Sequence, residues 1–80
     1  MHLGNITERQ SQILSLFVDN PDIVMVSTDI VDKFGITPNT AKSDLRKLTD
    51  KNYLKEISLN GRTKGYLRSD LFPKLISKIR

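Results

Sequence analysis

Apolar residues recur along the chain with a spacing that changes from segment to segment, and each change marks an element. Ile13, Leu14, Leu16, Phe17 and Val18 make a stripe at helical spacing, which predicts a first helix over residues 7–19. Thr7 and Gln10 have the spacing of a capping box, in which a hydroxyl and an amide satisfy free backbone donors. Ile6 stands where a hydrophobic staple would. Asn20-Pro21-Asp22 stops the helix, because proline cannot continue the hydrogen-bond ladder. Residues 23–26 are apolar and rich in β-branched side chains, so they predict a short strand. A second helix over 28–34 follows, with Ser27 or Thr28 as its cap and Asp29 favourably placed at its positive end. Ile30, Val31 and Phe34 share one face of it.

The run Phe34-Gly35-Ile36-Thr37-Pro38 is the most informative in the chain. Gly35 can take the left-handed conformation that ends a helix. Thr37 can cap the next one, and Pro38 fits its first position, where no amide hydrogen is needed. Two helices joined this tightly meet at the sharp angle of a helix-turn-helix. The third helix is predicted over 38–51. Ala41, Leu45 and Leu48 form its buried stripe, and Ala41, the only alanine, lets two helices cross closely. Residues 53–68 read as a hairpin turning at Asn60-Gly61. Alternation leaves its register open: a two-residue turn pairs Ile57 with Lys64, and a longer loop brings Ile57 near Tyr66. Ser69 and Asp70 begin a last helix over 70–79, with Leu71, Phe72, Leu75, Ile76 and Ile79 on one side and Pro73 in its first turn.

This order resembles a winged helix-turn-helix domain, an α+β fold with a three-helix core, a β-hairpin wing and here an extra C-terminal helix. The likeness runs from about Thr7 to Leu67. It is carried above all by Gly35-Ile36-Thr37-Pro38-Asn39-Thr40-Ala41-Lys42-Ser43-Asp44-Leu45-Arg46-Lys47-Leu48, followed by Tyr53-Leu54, and by the wing run Gly61-Arg62-Thr63-Lys64-Gly65-Tyr66. These segments are similar to the winged helices that open bacterial transcription repressors and to those that close Fic-family proteins. The resemblance implies sequence-specific binding of double-stranded DNA. The catalytic Fic motif, a histidine followed by phenylalanine and a glycine-rich anion loop, is absent, so no adenylyl transfer carries over. Where the family phrase has arginines at the start of the third helix, this chain has Asn39 and Ser43.

Length and composition narrow the chemistry. Eighty residues make one domain, and 38% of them are apolar. There is no cysteine, which removes disulfides and thiolate metal sites. The only histidine, His2, has no partner for catalysis or metal binding in sequence. No phosphate-cradling glycine loop or metal-ligand spacing is present, so neither an enzyme nor a cofactor is expected. No apolar run reaches the roughly 18 residues of a membrane span, and no signal peptide is visible, so the expected location is the cytoplasm. Charge is divided unevenly. Residues 1–40 hold two bases and five acids, a net −3, while residues 41–80 hold eleven bases and four acids, a net +7. That asymmetry points to a polyanion partner.

On a helical wheel of the third helix, Asn39, Ser43, Arg46 and Asp50 point away from the apolar stripe, flanked by Thr40, Lys42 and Lys47. An α-helix fits the major groove, where asparagine suits adenine, arginine suits guanine and serine suits either. Lys42 and Lys47 fall where phosphates run, and Thr37 with the amides at the helix start can hold a phosphate. Asp44, nearer the buried side, is expected to pair with Lys47 or another nearby base. The wing offers Arg62 and Lys64 near its tip, beside Asn60 and Thr63, and Lys55 and Arg68 further back. The bland alternative is a solvated helix face and a hairpin kept soluble by charge. A rival function is a protein–protein interaction module of a larger protein. A two-fold homodimer through Ile76 and Ile79 is the expected route to two half-sites.

Overall fold

The computed structural model describes residues 6–79. The order of elements is α1 (Glu8–Asp19), α2 (Ser27–Phe34), α3 (Pro38–Asp50), β1 (Leu54–Ser58), β2 (Lys64–Arg68) and α4 (Phe72–Ile79). The capping box forms as predicted. Thr7 Oγ1 accepts from the Gln10 amide at 3.0 Å, and Gln10 Oε1 accepts from the Thr7 amide at 3.1 Å. Gly35 closes α2 at φ +63°, a conformation in which any Cβ is strained. Thr37 caps α3, and Pro38 occupies its first turn.

The core is assembled from one face of each element. Ile13, Leu14 and Phe17 of α1, Ile30 of α2, and Ala41, Leu45 and Leu48 of α3 are buried, together with Met25, Tyr53, Leu54, Tyr66 and Phe72. Burying each large aliphatic or aromatic side chain stabilises the fold by roughly 1.5–3 kcal/mol. Ile6 packs against this cluster from outside, but as no staple, because the position it would meet in α1 is the exposed Ser11. Val18 does not join the α1 stripe, because it lies at the solvent margin.

Several sequence expectations need correction. Residues 23–26 form no strand. Met25 makes a single antiparallel bridge to Tyr66, its amide donating to the Tyr66 carbonyl at 2.9 Å and its carbonyl accepting at 2.7 Å. The amides of Ile23 and Val26 are used elsewhere, donating to the Asn20 carbonyl and to the Asp29 carboxylate, so no ladder extends beyond Met25. Neither Ser27 nor Thr28 caps α2. The cap is Val26, whose amide donates to the Asp29 carboxylate at 3.1 Å. The hairpin pairs Ile57 with Gly65 and Glu56 with Tyr66, which neither expected register gives. Its connection is a five-residue loop rather than an Asn60-Gly61 turn, closed by the Leu59 amide donating to the Thr63 carbonyl at 2.9 Å. Asn60 Oδ1 organises that loop by accepting from the amides of Arg62 and Thr63 at 2.9 and 2.8 Å.

The last helix begins at Phe72, after a turn in which the Phe72 amide donates to the Ser69 carbonyl. Leu71 therefore precedes the helix and is exposed, while Phe72 is buried and Leu75 packs against the core. His2 and the side chains of Ile76 and Ile79 lie outside the described residues. Among the described residues, no helix is long and apolar enough to cross a membrane.

Asp44 is the largest departure. It pairs with neither Lys47 nor any other base on its own helix. It is 2% exposed on the core side of α3, where its carboxylate meets α1. Arg9 Nε donates to Oδ2 at 2.5 Å, Arg9 Nη2 to Oδ1 at 3.3 Å, and Gln10 Nε2 to Oδ1 at 3.1 Å. Asp44→Ala strands the buried Gln10 amide. Urea denaturation is expected to show about 1–3 kcal/mol less stability with an unchanged m value. A loss no larger than that of an exposed α3 substitution such as Asp50→Ala would remove this junction from the account of stability.

Candidate nucleic-acid interface

The exposed face of α3 and the wing enclose a groove of about 850 Å³. Asn39, Lys42, Ser43 and Arg46 come from α3, at spacings that place them on successive turns of one side. Arg62, Thr63 and Lys64 come from the wing. Val26, Ser27 and Thr28, at the start of α2, line the same space, as do Glu56 and Tyr66. Six of the nine residues expected at a DNA site thus share one concavity, although they derive from two separated parts of the chain.

The other three stand apart from it. Lys47 is exposed on α3 but is not part of the lining. Thr37 and Thr40 are engaged with each other. The Thr37 hydroxyl accepts from the Thr40 amide at 3.2 Å and donates to the Thr40 hydroxyl at 2.9 Å. The helix cap therefore already uses one of the donors that a phosphate would need. Lys55 and Arg68 do not line the groove either.

The sequence reading missed Glu56 and Tyr66. In the observed register these residues face each other across the hairpin, and side chains directly opposite share a face. Lys64, two residues before Tyr66, lies on that face as well. Glu56 Oε2 accepts from the Tyr66 hydroxyl at 2.9 Å, and Oε1 accepts from Lys64 Nζ at 3.3 Å. These two hydrogen bonds, the tyrosine's first, hold the Glu56 carboxyl below its ordinary range, aided by the charges of Lys64 and Arg46. Burial, and then the bond to Glu56 and its charge, push the Tyr66 phenol up to about 12. The groove thus carries four cations, Lys42, Arg46, Arg62 and Lys64, around one fixed anion. Lys42, Arg46 and Arg62 make no ion pair among the described residues. Among the same residues, no group of acidic or histidine side chains could hold a metal ion.

No protein-family model matches the chain, and no curated protein matches it in sequence. Its likeness to known proteins lies in structure. MepR, a transcription regulator of the Staphylococcus aureus multidrug efflux pump MepA, superposes with a TM-score of 0.77 at 21% identity, over 94% of this chain and 56% of that one. A protein of Methanosarcina mazei, described as a possible transcriptional regulator, gives 0.77 at 18% identity over 94% of this chain and 68% of its own. TubR of Bacillus thuringiensis serovar israelensis, solved bound to 24 bp of tubC, gives 0.70 at 20% identity over 96% and 83%. The chain spans little more than half the length of MepR. At these identities the likeness is one of fold, and the fold is a winged helix-turn-helix. Its turn is Gly35-Ile36-Thr37 between α2 and α3, and its wing is the β1–β2 hairpin.

The Tyr66 environment has a measurable signature. A phenol whose folded value exceeds its ordinary 10.0 contributes stability that is complete below pH 10 and is lost as pH rises toward about 12. Tyr53 is raised too, by burial alone, and contributes with the same sign. Alkaline titration of phenolate absorbance is expected to give a last step near pH 12 that Tyr66→Phe removes. If both tyrosines of the folded protein titrate together at 10, neither the burial of Tyr66 nor its bond to Glu56 persists in solution.

Proposed function

We propose that the chain binds double-stranded DNA sequence-specifically, as a transcription regulator or the DNA-binding part of one. The observation that carries this reading is the shared groove, in which the exposed face of α3 and the tip of the wing present cations to the same space. A helix inserted in the major groove brings its N-terminal side chains to base edges, while a wing follows the neighbouring backbone. In this arrangement Asn39, Ser43 and Arg46 read bases, and Lys42, Lys47 and Arg62 hold phosphates. Lys64 joins the phosphate contacts only to the extent that Glu56 releases it. Thr37 and Thr40 serve by fixing the start of α3. TubR, a structural neighbour solved on duplex DNA, adds support from the fold. Such a partner would place the chain in the cytoplasm.

Titration of the protein against preferred and random duplexes tests the proposal. Affinity should fall steeply with salt, with a log–log slope of about −0.9 for each phosphate neutralised. Arg46→Ala and Asn39→Ala should each cost about 1–3 kcal/mol on the preferred duplex and less on random DNA. Arg62→Ala should weaken both alike. Absence of binding at low salt, with a protein partner still bound, would instead favour an interaction module.

A single winged helix covers only a few base pairs, so two copies are needed for a long site. We propose a two-fold dimer through α4, with Ile76 and Ile79 at its centre. Sedimentation is expected to give a dimer for the wild type and a monomer for the Ile76→Lys/Ile79→Lys double variant. A wild type that stays monomeric at high micromolar concentration ends this reading.

A further inference from the structure

Glu56 is an anion built into a surface whose proposed partner is a polyanion. It is not a stray charge on the rim. Its two oxygens are held by Tyr66 and Lys64, its side chain is 41% exposed, and it lines the groove together with Arg46. The Tyr66 backbone is in turn fixed on its far side by the bridge to Met25, so the strand that carries both of the carboxylate's donors is anchored. Lys64 alone among the groove cations has a carboxylate partner within the described residues.

We infer that Glu56 sets the affinity of the proposed DNA site, weakening its hold on DNA backbone of any sequence. The inference rests on the DNA-binding reading. Its physical basis is additive. The carboxylate occupies Lys64, removing one phosphate contact, and it repels whatever phosphate approaches Arg46 and Arg62. Both effects act on every duplex. Base-edge bonds from Asn39, Ser43 and Arg46 exist only on the right one. A term common to every duplex lowers all affinities together and leaves the free-energy difference between sites to the base contacts.

The test is Glu56→Gln, which keeps an oxygen to accept from the Tyr66 hydroxyl while removing the charge. Affinity for a random duplex should rise several-fold, and the log–log salt slope should steepen by about 0.9 as Lys64 becomes free to meet a phosphate. Affinity for the preferred duplex should rise by the same factor, because the charge acts on every sequence alike. Lys64→Met should change the slope little in the wild-type background and reverse the steepening in the Glu56→Gln background. A residue that only braces the hairpin would alter thermal stability and leave the salt slope alone. If the wild type binds DNA with the expected salt dependence but Glu56→Gln matches it in slope and in affinity for the random duplex, this inference falls and the DNA-binding reading stands. If the wild type shows no salt-dependent binding, both fall.

Discussion

A buried carboxylate on α3 sets how that helix lies. Asp44 is on the core side of the helix whose opposite side forms one wall of the groove. Removing a carboxylate from water costs several kcal/mol unless it is fully met by donors. Here three bonds from α1 meet it, two from Arg9 and one from Gln10. Apolar contacts through Ala41, Leu45 and Leu48 attract α3 to the core but are not directional. The bonds to Asp44 are directional, so they fix the rotation of α3 about its axis. Arg46 lies roughly 200° around the helix from Asp44 and must therefore face outward. Gln10 is itself held by the Thr7 amide, so the cap of α1 and the phase of α3 belong to one network.

Local rules made most of the fold legible in sequence. The capping box at Thr7 and Gln10, the glycine at the end of α2, and the proline opening α3 each depend on neighbours within four residues. What stayed hidden depends on contacts across the chain. Asp44 and Arg9 are far apart in sequence, and nothing in helical periodicity distinguishes a buried aspartate from an exposed one. The hairpin register was hidden for a different reason. Its burial does not alternate: Gly65 is covered by Val24 and Leu59 on one face, while Tyr66 is buried on the other. With both faces partly covered, polarity gives no phase.

The candidate site shows the same division. The α3 residues could be read from the wheel because they share a rigid helix. The wing cations could be read as a cluster but not aimed, because aim requires the register. Glu56 and Tyr66 could not be read at all. Only the pairing of residue 56 with residue 66 places the carboxylate among the bases.

That pairing also explains how two separated parts of the chain can form one surface. A two-stranded hairpin alone is marginally stable in water and would leave the wing free to drift relative to α3. Tyr66 prevents this by bonding in two directions. Its backbone bridges to Met25, just before α2, and its position in β2 faces Glu56 of β1. Its ring is buried against the core while its hydroxyl reaches the groove. The wing is thereby attached to the segment that leads into the helix-turn-helix, and the turn at Gly35 attaches that segment to α3. A surface held in this way has little conformational freedom left to lose when a partner docks, and that lost freedom is among the main costs of association. The same pairing sets Glu56 of β1 opposite Tyr66 of β2, and so places one carboxylate among the cations of the groove.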